Sequence, residues 1–373
     1  MAQNTAATGL QRLRNHMAGH GLQVCVISLP IHIGYLCGYF PPANRFASLL
    51  VTPSEALLLA PASGAPAPSA DLAVLTYEDY SIARTVHLAA DSLAAFARAL
   101  AGLCLAAPRL GWEPSFLPAV YADRLRTVLN PIQSEDVSPL LEALRTIKAP
   151  AEVQAIERAV AATDDIFAAL ERSIHAGCSE LDVYSMALAT VARAAAGPAV
   201  LDGDFVSGPR TEEIGGPPTP RILQPGDLLI VDVYPCLAGY WADTTRTFSI
   251  GKPSQQTVDR HGVLEEALAA GRRAIGPGLP TRELYAVVKG VIDRAGFGAC
   301  FPHHAGHCVG VTPSEDPRLI PGSDAVLEEG MVITLEPGIY LAGWGGMRLE
   351  DNFLVTAEGC RSLSHYPLKP VEI

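Results

Sequence analysis

The chain has 373 residues, 49% of them apolar and 18% charged, with a formal net charge of −12. That length supports one large or two medium domains with real cores. The acidic balance argues against partnership with nucleic acid or anionic membrane, since both call for clustered Lys and Arg.

The opening stretch, MAQNTAATGLQRLRNHMAGHG, has no apolar core of signal-peptide length, and no apolar run is long enough to span a bilayer. Residues 8–20 read as a helix, followed by an apolar strand in LQVCVISL and then by IHIGYLCGYF. FASLLV-TPSE-ALLLA reads as a hairpin with Pro and Ser at its turn. The Pro/Ala/Ser-rich stretch 61–70 is expected to be an exposed loop, and LAADSLAAFARALAGL a helix by propensity and period. Pro150 suits the first turn of a new helix, in which Ile156, Val160, Ile166, Phe167 and Leu170 form an apolar stripe. Helices are predicted over 151–174, 180–196, about 257–275 and 281–295, so that helix pairs and hairpins occur twice, with a hint of internal duplication. The predicted fold class is α+β in two domains: a small α/β domain over 1–142 and a second over 143–373.

Cys25, Cys37, Cys104, Cys178, Cys236, Cys300, Cys308 and Cys360 include no C-x-x-C pair. Isolated thiols in a reducing compartment fit better than disulfides or a thiolate metal site. A soluble, cytoplasmic protein is expected.

Two segments concentrate acids. LLIVDVYPCLAGYWADTTRTF contains Asp232 and Asp243, whose midpoint falls between Leu237 and Ala238; MVITLEPGIYLAGWGGMRLEDNFLV contains Glu336 and Glu350, whose midpoint is Gly343. Folding each segment about its midpoint sets its two acids side by side. Carboxylates crowded on stiff β-structure are costly unless a cation neutralises them. Between the segments lies FPHHAGHCVGV, where His307 is flanked by glycines that permit close backbone approach. Asp232, Asp243, His307, Glu336 and Glu350 make a five-ligand set whose four carboxylates balance two divalent cations. Oxygen-rich ligation with one imidazole suits Mn²⁺ first, with Co²⁺ or Zn²⁺ as alternatives.

VDVYPCLAGYWADTTRTFSIG, GHCVG, LEPGIY and MRLED resemble, in order, the motifs of the pita-bread metallopeptidases, a group that includes prolidases, aminopeptidases P, methionine aminopeptidases and creatinase. IGYLCGY resembles that family's amino-terminal segment, and LRTIKAPAEVQAIERA its domain-joining helix. The extra amino-terminal domain is similar to the prolidase, aminopeptidase P and creatinase branch. The resemblance implies that Asp243 and Glu350 bridge two metals, that Asp232 binds one, and that His307 and Glu336 complete the other. It further implies Glu336 as proton shuttle, His303 lining the cleft, and a homodimer as the default assembly. Arg348, two residues before Glu350 and on the same strand face, is a candidate for orienting Glu350 or approaching substrate.

The chain departs from this family twice. Gly215, in SGPRTEEIGGPPTPR, stands where prolidases carry the His of P-H-G, and Ser314, in GHCVGVTPSEDP, where they carry that of V-H-E. Those histidines flank the substrate, so their loss leaves metal binding intact while changing the substrate's surroundings. A dipeptidase still needs a cation for the free carboxylate, and Arg45, Arg210 and Arg318 are the candidates. The leading reading is a dinuclear peptidase that cleaves Xaa-Pro bonds in dipeptides, a small peptide substrate. Hydrolysis of longer Xaa-Pro peptides, lyase chemistry on small zwitterions and a non-catalytic metal-binding protein are the alternatives.

Overall fold

The computed structural model describes residues 2–195, 200–368 and 371–373, so residue 196 of the predicted helix over 180–196 lies outside the described residues. The chain divides into two compact units, Met1–Arg145 and Thr146–Ile373. No described helix is long and apolar enough to cross a membrane.

The first unit contains α1 (Ala2–His20), β1 (Val24–Ile27), α2 (Pro30–Cys37), β2 (Ser48–Val51), β3 (Ala56–Pro61), β4 (Ala73–Tyr77), α3 (Leu88–Gly102), β5 (Arg109–Trp112), α4 (Ala119–Leu129), β6 (Gln133–Asp136) and α5 (Ser138–Thr146). Its six-stranded mixed sheet runs β4-β3-β2-β1-β5-β6. The expected hairpin is present as the antiparallel β2–β3 pair. IHIGYLCGYF forms α2, begun by Pro30 at its first turn and ended by Gly38 at φ 73°, whose N–H bonds to the Gly34 carbonyl. Phe96, Leu100, Tyr121 and Leu125 of α3 and α4 pack on Val24, Val26, Leu50 and Leu110 of the sheet.

The second unit contains α6 (Pro150–Ser173), α7 (Glu180–Ala195), β7 (Val200–Ser207), β8 (Leu228–Leu237), β9 (Tyr240–Trp241), β10 (Thr244–Ser249), α8 (Gln255–Ala274) and α9 (Thr281–Arg294). It continues with β11 (His307–Cys308), β12 (Glu315–Arg318), β13 (Val332–Leu335), β14 (Gly338–Leu341), β15 (Gly345–Arg348), β16 (Asp351–Thr356), β17 (Gly359–Ser362) and β18 (Val371–Glu372). One sheet runs β18-β10-β8-β7 with β9 on β8, a second runs β12-β11-β13-β16-β17, and β14-β15 form a ribbon. Each sheet has its own helix pair. Ile166, Phe167 and Leu170 of α6 and Val183 and Val191 of α7 pack on Phe205, Leu229 and Val231, while Leu264, Leu268, Leu284 and Val288 of α8 and α9 pack on Ile333, Leu335 and Phe353. The repeat of helix pair and sheet matches the duplication suggested by the sequence. β7, by contrast, was not anticipated.

The two acidic segments do form hairpins, with one correction. In the first, Ala238 and Gly239 take φ of 52° and 86° between paired Leu237 and Tyr240. A two-residue turn of this kind needs positive φ at both central positions, which Gly239 meets without strain. The turn therefore centres one residue later than the midpoint of the two Asp residues. Asp232 faces Thr245, and Asp243 lies diagonal to Asp232 on the same face rather than directly opposite. In the second, Gly338 pairs with Arg348 in the ribbon, and Leu335 with Asp351 in the sheet. One register runs through both, so Glu336 and Glu350 stand opposite each other where the hairpin changes sheets.

Buried Arg246 on β10 ties the halves together. Its five N–H groups donate to the carbonyls of Thr245 (2.9 Å), Glu350 (2.7 Å), Tyr366 (2.7 Å) and Pro367 (3.2 Å) and to Asp351 Oδ1 (2.7 Å). Replacing Arg246 with Met keeps much of the volume but leaves Asp351 uncompensated and takes this donor from the Glu350, Tyr366 and Pro367 carbonyls, while the Thr245 carbonyl keeps the Glu350 N–H at 3.1 Å. The expected loss is about 3–5 kcal/mol in denaturant unfolding; a change within about 0.5 kcal/mol would show that the clamp is dispensable.

Candidate metal centre

Asp232 and Asp243 on the first hairpin and Glu336 and Glu350 on the second are each 7% exposed or less. Asp232 Oδ1, Asp243 Oδ1 and Glu350 Oε1 have no hydrogen-bond partner, and Glu336 Oε1 has only the His304 and His307 imidazoles near it, at 2.8 Å and 3.7 Å. His307 Nε2 lies 3.4 Å from Asp243 Oδ2 and 3.7 Å from Glu336 Oε1. Its other nitrogen, Nδ1, donates to the Cys308 carbonyl at 2.8 Å, which leaves the Nε2 lone pair free for a metal. Ligand atoms of Asp243, His307 and Glu350 all fall within 4.8 Å of one another. Four buried carboxylates, three with an orphaned oxygen, beside an unprotonated imidazole nitrogen fit divalent cations; without them the arrangement is costly.

Gly306 makes this convergence possible. At φ 148°, a Cβ there would lie 2.0 Å from the Thr334 carbonyl of β13, so only glycine lets β11 deliver His307 this close.

Around the acids runs a layer of fixed partners. Arg348 uses all five N–H groups: Nε on Thr245 Oγ1 (3.1 Å), Nη1 on the Ile214 carbonyl (2.9 Å) and Tyr340 OH (2.8 Å), Nη2 on Asp232 Oδ2 (2.6 Å) and Asp204 Oδ2 (3.1 Å). Arg348 thus orients Asp232, not Glu350 as expected, and with every donor engaged it is a positioning residue. Burial alone would lower its pKa, but Tyr340 and Asp232 raise it well above the usual arginine value. Thr245 holds Glu350 Oε2 at 2.9 Å, and Tyr234 holds Asp232 Oδ2 at 2.8 Å. His303 accepts or donates at Tyr340 OH (3.0 Å), with its Nδ1 3.7 Å from Glu336 Oε2. Its neighbour His304 is nearer to the same acid, with Nδ1 2.8 Å from Glu336 Oε1. Both imidazoles face Glu336. Tyr234, Tyr340 and Thr245 escaped the sequence reading, although period-two spacing places Tyr234 on the Asp232 face.

The altered loop has an occupant of its own. A Cβ on Gly215 would lie 2.0 Å from Asp204 Oδ2. Asp204, on β7 directly across from Asp232, accepts the Gly216 N–H at 2.8 Å and the Arg348 contact already described. Like charges facing across strands repel, and the Arg348 guanidinium bonded to both is what holds them. Ile214 sits at φ 74°, ψ −58°, with the Gly215 N–H bonded to the Glu213 carbonyl at 2.9 Å. This three-residue turn is strained for a β-branched residue, and it presents the Ile214 carbonyl to Arg348. Asp204 had no signal in the sequence, because its importance comes from a strand pairing.

The candidate carboxylate binders differ in their partners. Arg318 is exposed, is paired in register with His307, and touches Ser314 Oγ at 3.4 Å, with no ion pair among the described residues. Arg210 is bound to buried Glu180 and the Pro217 carbonyl. Arg45 belongs to the first unit, where its Nε donates to Asp79 Oδ2 at 3.2 Å.

Burial, then the charges of Glu350, Asp232 and Glu336, pushes the Asp243 carboxyl well up; burial, then Glu336 and Asp232, does the same to Glu350. Glu336 goes the other way: burial raises it, but the His304 hydrogen bond and the charges of His304, His307 and His303 bring it to about 2. Burial lowers His303 to about 4.

Carboxyls raised in the fold bind more protons there than in the unfolded chain. The metal-free fold therefore weakens as pH climbs from the unfolded carboxylate range, about 4, through the raised values. Metal binding displaces those protons. The melting-temperature gap between metal-loaded and chelator-treated protein should widen from about pH 5 to about pH 8; a flat or narrowing gap contradicts this assignment. Gly215→Ala should cost about 1–3 kcal/mol through its clash with Asp204. The cost should shrink in the Asp204→Ala background, and simple additivity in this cycle would refute the contact.

Comparison with known proteins agrees with this geometry. Residues 154–357 match the model of metallopeptidase family M24, and residues 10–147 that of the creatinase/prolidase N-terminal domain. The chain is 32% identical over 259 residues to the uncharacterized peptidase YqhT of Bacillus subtilis, covering 69% of this chain and 73% of that one. It is 31% identical over 269 residues to a Xaa-Pro dipeptidase of Pyrococcus horikoshii, covering 72% and 75%. Among solved structures, a Xaa-Pro dipeptidase from Bacillus anthracis superposes with a TM-score of 0.84 at 25% identity, covering 99% of this chain and 100% of that one. The fold is the expected one, a creatinase-type domain followed by a pita-bread domain. The chain belongs to metallopeptidase family M24, in the branch that carries a creatinase/prolidase amino-terminal domain.

Proposed function

We propose that the protein hydrolyses Xaa-Pro peptide bonds, with dipeptides as its principal substrates, using two divalent cations, Mn²⁺ foremost, held by Asp232, Asp243, His307, Glu336 and Glu350. The observation that carries this reading is the burial together of four carboxylates, three of them with an unpartnered oxygen, with Asp243, His307 and Glu350 converging within 4.8 Å. Divalent cations there supply polarisation of the scissile carbonyl and an activated water. Glu336, held ionised beside His303 and His304, is placed to accept the water's proton and pass it to the leaving proline nitrogen. Arg348 keeps Asp232 in place throughout. Asp204 takes the side-chain space at Gly215, and Arg318, exposed beside Ser314 and His307 and without an ion pair among the described residues, is the cation best suited to the product-side carboxylate. Arg45 is already paired with Asp79, which makes it the weaker candidate. A soluble homodimer in the cytoplasm is the accompanying expectation.

Mn²⁺-loaded protein should hydrolyse Ala-Pro and Leu-Pro faster than Xaa-Pro-Yaa tripeptides, and chelation should abolish both activities. No hydrolysis of either class with any divalent metal would overturn the peptidase reading. Arg318→Ala should raise KM about tenfold or more for dipeptides, whose carboxylate is free, and leave tripeptide KM nearly unchanged. Equal effects on the two would remove Arg318 from substrate binding.

A further inference from the structure

The first unit holds a second group of metal-ligating side chains, chemically unlike the first. His16 and His20 stand four residues apart on one face of α1, next to its end, where Gly21 at φ 65° turns the chain away. Their rings stack with centroids 3.8 Å apart at 30°. Glu135 faces them from β6, the edge strand of the six-stranded sheet. His16 Nε2 and His20 Nδ1 lie 3.5 Å and 3.6 Å from the same oxygen, Glu135 Oε1.

Those separations are informative. A hydrogen bond or tight ion pair would draw one nitrogen to about 2.7–3.2 Å. Two ligands of a tetrahedral zinc, each about 2.0–2.1 Å from the ion, are instead about 3.3–3.4 Å apart. Both nitrogens keep that spacing from one oxygen, and all three ligand atoms lie within 4.8 Å of one another. The side chains are 22%, 51% and 30% exposed, enough for a water to complete the coordination and for the ion to exchange.

We propose that His16, His20 and Glu135 form a second, exchangeable transition-metal site, suited to Zn²⁺, that fastens the last turn of α1 to the edge strand β6. Its donor set is two imidazoles and one carboxylate, whereas the M24 centre offers four carboxylates and one imidazole. The first composition favours zinc and its neighbours in the transition series; the second tolerates the harder Mn²⁺.

The test uses the full chain, stripped with chelator and dialysed against micromolar free Zn²⁺, with bound metal counted per chain. Wild type should hold one zinc more than His16→Gln/His20→Gln and one more than Glu135→Gln. Both variants should melt like wild type in chelator and retain Mn²⁺-dependent peptidase activity, so that the lost equivalent is not a folding defect. Anomalous diffraction at the zinc edge should place a peak between the three side chains. Equal zinc counts in wild type and variants, or no peak there in zinc-soaked crystals, would overturn the proposal. Neither result depends on whether the protein cleaves Xaa-Pro bonds.

Discussion

Four carboxylates buried in one cleft are the constraint on which the second unit is built. Asp232, Asp243 and Glu350 each keep an oxygen without a partner, Glu336 meets only imidazoles there, and Asp204 adds a fifth acid. Among the described residues Arg348 is the one guanidinium bonded within this group, and its charge offsets a single carboxylate. The charge that remains is of the kind that divalent cations neutralise. Burial, with the charge of the neighbouring acids, pushes the Asp243 and Glu350 carboxyls well up, toward the neutral form that buried acids favour where they cannot be solvated.

Two arginines make this concentration of charge mechanically stable. Arg246 is spent on backbone carbonyls and Asp351, locking β10 to the start of β16. Arg348 is spent on side chains of the site itself, linking His303 through Tyr340 to Asp232. Each has a planar fork of donors with every position filled, so neither has freedom to follow a substrate. The division of labour is clear: one arginine sets the distance between the hairpins, and the other sets the orientation of the acids. Substrate recognition is left to residues outside both networks.

The side-chain space at Gly215 is taken by another residue. Glycine at position 215 is required not by backbone conformation but by the Asp204 carboxylate standing in its side-chain space. The strained turn at Ile214 and the like-charged Asp204–Asp232 pair meet at the same guanidinium. Strain and repulsion at one place are tolerated when surrounding bonds over-determine the geometry, and they concentrate at functional sites.

The local features were legible in the sequence because they depend on period and turn chemistry. Pro150 and the stripe from Ile156 to Leu170 announce α6, and the four acids of the candidate metal centre stand out by their paired spacing. The Glu pair was placed correctly because one register runs from β13–β16 into β14–β15. The Asp pair slipped by one residue, because positive φ at Ala238 and Gly239 decides the turn and a midpoint count cannot see it. What only the tertiary structure decided was which distant residues meet. Asp204 faces Asp232, Arg348 turns to Asp232 instead of Glu350, and His16 and His20 meet Glu135. Such meetings are set by strand pairing and packing across long stretches of chain, for which sequence spacing holds no record.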